Sequence, residues 1–272
     1  MLRSMSTAIS GMRNHQTSMD VVAANIANVN TPGYKASRVN FKEALYQSYN
    51  SGSAGGADTG GTNPTQIGLG MDLGGITSIM TQGTVISTGK NTDVMIQGEG
   101  FFVLGTIVGG VANPSYFTRD GSFAVDHQGY LVEPSSGYYV FDAEGDDPIQ
   151  IQPDWASFNI GSDGRLTGVR SDGTVDNVNQ PQIGLAIFPN PEGLVRKGGN
   201  LYQEGNNSGP ATIGAPNTNG RGTLVSASLE ASNVDLAEQF SRMIMAQRGF
   251  QANSRIINAS DEMLQELNNL KR

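Results

Sequence analysis

The chain has 272 residues, 37% of them hydrophobic and 15% charged, with 36 glycines, a formal net charge of −8 and a pI near 4.7. An acidic chain without a basic run does not suit nucleic acid, because neutralising phosphates takes clustered Lys and Arg. The lack of cysteine excludes disulfides, thiolate metal sites and cysteine nucleophiles, and two histidines, His15 and His127, leave little for a multi-histidine metal centre or a triad.

The first element in chain order is a helix over residues 2–29. Its seven-residue rows are Leu2, Ile9, Gln16, Ala23 and Met5, Met12, Met19, Ile26, and all but Gln16 are apolar. That is an a/d seam of about four heptads. Arg13-Asn14-His15-Gln16 interrupts any signal-peptide core, and no run approaches the roughly 18 apolar residues of a membrane span. No cleaved signal and no membrane insertion are therefore expected. Asn25 and Asn28 share a helix face near its end. Asn30, Thr31, Pro32, Gly33 and Tyr34 then form a corner: Pro32 forbids further helix, and Gly33 allows a sharp bend.

Residues 50–63, NSGSAGGADTGGTN, read as a flexible loop. From about 66 to 205 the pattern is short strands with turn punctuation. DVMIQGEGFFVL (93–104) predicts a buried strand and a bend. Asp120-Gly121, Gln128-Gly129 and the repeated Ser-Asp-Gly at 162–164 and 171–173 predict hairpin turns. QIGLAIFPN (182–190) predicts one more strand. Two other stretches carry chemistry only weakly. Gly68 to Gly74 is one residue too long for a dinucleotide fingerprint, and nothing helical follows it. The acidic DAEGDDP (142–148) lacks the Gly and distal Glu of a calcium loop and reads as a solvated turn.

The last element is a helix over 233–271, with Ser232 as a candidate cap and Asp235 three residues on. One row is Leu236, Met243, Phe250, Ile257, Leu264. The other starts at Phe240 and turns polar at Gln247. A stripe that broadens in this way buries against more than one neighbour. The expected fold is α+β and multi-domain. Residues 1–32 with 230–272 form a terminal helical, coiled-coil-like domain. Residues 33–80 with 205–229 form an extended connector, and 81–204 a central, mainly β domain. No catalytic, metal or cofactor-binding residue is assigned, and no enzymatic activity is expected.

ANIANVNTPGYKASRVNFKEALYQ (24–47) closely resembles the N-terminal signature of the bacterial flagellar rod and hook proteins, and LEASNVDLAEQFSRMIMAQRGFQANSRIINASDEML (229–264) resembles their C-terminal one. TQGTVISTGKNTDVMIQGEGFFVL (81–104) and FTRDGSFAVDHQGYLV (117–132) are similar to further blocks of the same family, in the same order. The resemblance implies an axial structural subunit of the hook–basal body, outside the cytoplasm. Such subunits leave through the flagellar export apparatus, polymerise with themselves into a hollow helical tube and adjoin rod, hook-cap and hook–filament junction proteins. It also implies that the terminal helices pair inside the tube and carry its assembly contacts. The C-terminal QRGFQANSRIINASDEMLQELNNLKR (247–272) looks most like the hook protein, which is the favoured member. The distal rod protein is the alternative, suited by the corner and the length. Two other classes stay open on the residues alone: a secreted enzyme with a carboxylate pair in its β domain, and an adhesin with a dimeric coiled coil.

Overall fold

The structure, a computed structural model, describes residues 2–56, 60–108, 111–176 and 180–270. The chain divides into two compact units. The first comprises Met1–Ala27, Ser37–Ser78 and Asp235–Arg272, the second Asn28–Ala36 and Ile79–Val234. The class is α+β: two long helices and many short strands.

The first unit holds helix α1 (Leu2–Ala27), strands β1 (Ser37–Glu43), β2 (Tyr46–Asn50), β3 (Thr65–Gly68) and β4 (Met71–Ser78), and helix α2 (Leu236–Leu270). β1 pairs antiparallel with β4, and β2 with β3. Most of the stretch expected as connector is therefore a hydrogen-bonded arm that runs out and returns. The Gly/Ser tract lies at its far end, where Ser53 and Thr62 exchange two backbone hydrogen bonds of 3.0 Å; residues 57–59 lie outside the described residues.

The second unit carries β5 (Val85–Ser87), β6 (Val94–Gln97), β7 (Phe101–Val108), β8 (Val111–Thr118), β9 (Ala124–Val125) and β10 (Leu131–Val132). It continues with β11 (Tyr139–Val140), β12 (Trp155–Ile160), β13 (Leu166–Arg170), β14 (Val175–Asp176) and β15 (Leu185–Ile187). β16 (Val195–Gly198), β17 (Leu201–Gln203), β18 (Thr212–Gly214), β19 (Thr223–Ser226) and β20 (Ser228–Glu230) complete it. Among the described residues the largest sheet has nine strands, with the path β16-β17-β8-β7-β11-β10-β9 and with β15 bridging β7 to β18. β12, β13 and β14 form a separate antiparallel sheet. Residues 205–229 are not a connector alone, since β18, β19 and β20 all pair within this unit.

β7 shows why the unit closes. Side chains alternate across a strand, and Phe102 and Leu104 enter one apolar cluster while Phe101 and Val103 enter another. A strand buried on both faces reads as a continuous apolar run, which is what FFVL is. The turn signals resolve in two ways. Gly129, Gly164 and Gly173 take positive φ (+85°, +80° and +82°) between paired strands, as Asp-Gly and Gln-Gly hairpins require. Asp120-Gly121 is not a hairpin turn. A Cβ at Gly121 would lie 1.6 Å from the Val94 carbonyl oxygen, so glycine is required there by close approach.

Candidate assembly site

The two helices of the first unit pack against each other. A Cβ on Gly11 would meet the Asn253 amide at 2.6 Å, and one on Gly249 would meet the His15 imidazole at 2.5 Å. Near the other end, the Asn25 amide donates to the Gln239 side-chain oxygen at 3.1 Å. Position 11 faces 253, 15 faces 249 and 25 faces 239, so the pair is antiparallel in constant register.

This line of contact differs from the seam read off the heptads. On α1 the buried positions are Ala8, Gly11, Asn14, Val22 and Asn25; on α2 they are Gln239, Ala246 and Ser260. Met5, Met12, Met19 and Ile26 are half-buried flanks, as are Met243, Phe250 and Ile257. Ile9, Gln16, Ala23, Leu236, Phe240, Gln247 and Leu264 are exposed, and the side chain of Leu2 lies outside the described residues. The physical reason is size. Glycine and alanine let the axes approach where the helices meet, so small and amide side chains occupy the contact and large apolar ones are displaced outward. His15 is half-buried and packs over Gly249, with its ring 6.3 Å from that of Phe41.

Asn25, 1% exposed, fixes this arrangement. Its side-chain oxygen accepts from the Ser37 N–H at 2.9 Å, and its amide donates to the Ser37 carbonyl at 2.8 Å. One asparagine thus satisfies both backbone groups at the start of β1 while reaching α2. α2 is capped by Asp235, whose carboxylate accepts from the N–H groups of Ala237 (2.8 Å) and Glu238 (3.3 Å). Ser232 does not cap: residues 231–234 form no helix, and its hydroxyl makes no hydrogen bond.

The corner belongs to the second unit. α1 stops at Ala27, Thr31 N–H donates to the Asn28 carbonyl at 3.1 Å, and the Thr31 hydroxyl donates to the Asn28 side chain at 3.1 Å. Asn30 is exposed. Gly33 takes φ +68°, and a Cβ there would fall 2.6 Å from the Asp120 nitrogen, so glycine is needed both for the bend and for the space. Its N–H donates to the Glu230 carbonyl at 2.8 Å, and the Pro32 carbonyl accepts from the Asn200 amide at 3.0 Å. Tyr34 lies under the Arg196 guanidinium, 5.5 Å from ring centroid to carbon.

Beneath the corner is a cluster that sequence reading missed. The Lys35 ammonium contacts the Glu230 carboxylate at 2.5 Å, the Arg119 guanidinium lies 3.5 Å from its other oxygen, and all three side chains are buried. Lys35 also donates to the Thr81 carbonyl at 2.9 Å, and Glu230 accepts from the Gly83 N–H at 2.8 Å. Burial lowers Lys35 and Arg119 from their ordinary values, and the Glu230 charge opposes the fall in each. One carboxylate therefore ties three chain segments, at 35, 81–83 and 119. A lone lysine beside a turn and a glutamate 195 residues away carry no sequence signal of pairing.

Comparison with known proteins gives this geometry a family. Residues 5–35 match the model of the flagella basal body rod protein, 95–168 that of the flagellar hook protein FlgE/F/G D1 domain, and 225–270 that of the flagellar basal body rod FlgEFG protein C-terminal. The flagellar basal-body rod protein FlgG of Bacillus subtilis is 48% identical over 273 residues, covering 100% of both chains. The chain belongs to the flagellar rod and hook protein family. The FlgG of Borreliella burgdorferi is 38% identical over 276 residues, again covering 100% of both. The flagellar hook protein FlgE of Treponema pallidum is 26% identical over an alignment of 470 positions that covers both chains fully, so it carries segments this family member lacks.

The remaining chemistry-bearing candidates have structural explanations. The Asp142 carboxylate accepts from the N–H groups of Gly145 (2.8 Å), Asp146 (3.2 Å) and Asp147 (3.4 Å), so the acidic loop is a turn closed by its own first residue. Among the described residues no group of three acidic or histidine side chains is placed to hold a metal. His127 is exposed in the β9–β10 turn beside Asp126. Among the described residues no helix is long and apolar enough to cross a membrane.

Proposed function

We propose that the chain is a distal rod subunit of the flagellar basal body, one that polymerises with copies of itself into a hollow helical tube and transmits motor torque. The observation that carries this reading is the end-to-end likeness, without added segments, to proteins named basal-body rod protein FlgG. The hook, expected from the C-terminal block, gives way to the rod. Residues 247–270 of that block fall in a region common to FlgE, FlgF and FlgG and do not favour the hook, while the longer alignment needed for the FlgE of Treponema pallidum supports the rod. Self-assembly is supported by the large apolar side chains on the outside of the helical unit, since a head-to-tail contact that does not close builds a filament. Its partners are then other copies, the adjoining rod and hook proteins and the export apparatus. Labelled antibody on isolated hook–basal bodies tests the assignment. Label below the outer rings is the expected result; label along the curved external segment returns the chain to the hook. Electron microscopy of concentrated protein tests polymerisation itself: tubes support it, and discrete dimers speak for an adhesin-like coiled coil.

A further inference from the structure

α2 is longer than α1, 35 residues against 26. In the observed register Leu2 faces position 262, so about eight residues of α2 run past the start of α1, an overhang of ~12 Å. Met263, Leu264, Leu267 and Leu270 lie on that overhang, and all are exposed, Leu270 at 82%. Residues 261–270 carry Asp261, Glu262 and Glu266 and no basic residue before the terminal Lys271 and Arg272. This end of the helix is a short apolar stripe with acidic flanks and, among the described residues, no partner helix beside it.

The same unit holds a groove of about 500 Å³ between α1, β1 and α2. Its apolar wall includes Val39, Phe41 and Met245, the last two 42% and 61% exposed. Its rim is basic. Arg38 is exposed and forms no ion pair among the described residues, and the groove's single carboxylate, Glu238, is already bound to Arg242 at 2.6 Å. In the neighbouring cleft lined by Leu45 and Leu69, Lys42 and Asp72 pair at 3.5 Å and Glu43 adds a further carboxylate, so that cleft does not favour an acidic segment.

We infer that the groove receives the α2 overhang of a second copy of this chain, with its leucines against Phe41 and Met245 and its carboxylates toward Arg38. The inference rests on the self-assembly reading and names the contact through which one copy holds the next. The two partner surfaces lie at separate places along the same helix, so the contact is head-to-tail, the kind that builds a filament when its rotation does not close a ring.

The chain has no native cysteine, which makes the test direct. Met245→Cys and Leu267→Cys are prepared as separate full-length proteins, both at exposed positions, and mixed under assembling conditions with copper phenanthroline as oxidant. Disulfide-linked dimers are expected in the mixture, with a yield at least tenfold above that of either protein alone. Tubes that form without this crosslink overturn the groove while leaving self-assembly standing. A Leu267→Cys protein that crosslinks to itself as readily as to the mixture places two overhangs together and also overturns it. Failure of the unmodified chain to associate at any concentration overturns both readings at once.

Discussion

In the β-rich unit the large apolar side chains face inward: Phe102, Val103 and Leu104 are completely buried. In the helical unit they face outward, with Phe240, Ile244 and Met245 each about half exposed or more, while glycine, alanine and amides fill the contact between the helices. The β unit buries its large apolar side chains within itself. The helical unit uses its internal contact to set geometry and leaves the larger part of its hydrophobic energy for surfaces outside itself. A helix pair of this kind draws most of its stability from what covers it.

The first way to break this comparison is to attack the β unit alone. Glu230→Ala leaves Lys35 and Arg119 buried without a counter-charge. Removing one partner of a buried ion cluster costs about 3–5 kcal/mol. Urea unfolding followed by the fluorescence of Trp155, the only tryptophan, should show that loss in the monomer. An unchanged midpoint would mean that the corner is held by its backbone hydrogen bonds and that the charges are incidental. A second test moves to the helical unit. Asn25→Leu removes the partner of the N–H and carbonyl of half-buried Ser37 and of the buried Gln239 side chain. The expected cost is about 1–3 kcal/mol. It should appear as earlier loss of helical circular dichroism with the Trp155 transition unmoved. A variant as helical as the parent would mean that the Asn25 hydrogen bonds do not hold the helix pair to β1.

Where the sequence was legible follows from the same contrast. The β7 run, the turns at Gly129, Gly164 and Gly173, and the break at Pro32-Gly33 were readable because local residues decide them. The two helices were readable from period alone, but not which face pairs. A heptad count ranks positions by hydrophobicity, whereas this pair meets through Gly11, Asn25, Ala246 and Gly249, which such a count ranks low. The Lys35–Glu230–Arg119 cluster was invisible for another reason: its members come from three distant segments, and each residue type is ordinarily found at the surface. The C-terminal block did not favour rod or hook, because its region is common to FlgE, FlgF and FlgG.

The smallest effect on the isolated chain sharpens the contrast most. Phe240 sits on α2 one position after buried Gln239 and is 51% exposed. Phe240→Ser removes no core contact, so the monomer should keep its stability within about 0.5 kcal/mol, as surface changes usually do. If the outward face is where copies meet, assembly buries the half of this side chain that is still exposed, worth about half of the 1.5–3 kcal/mol of a whole phenylalanine. At 1.4 kcal/mol per tenfold, its loss raises the protein concentration needed for tubes by roughly 3- to 10-fold. Sedimentation across a concentration series measures that threshold, and thermal melting of dilute protein measures the other quantity. A variant that melts early but assembles at the usual threshold would invert the comparison. Phe240 would then be serving the fold of its own chain, and the outward face of α2 would not be where neighbouring copies meet.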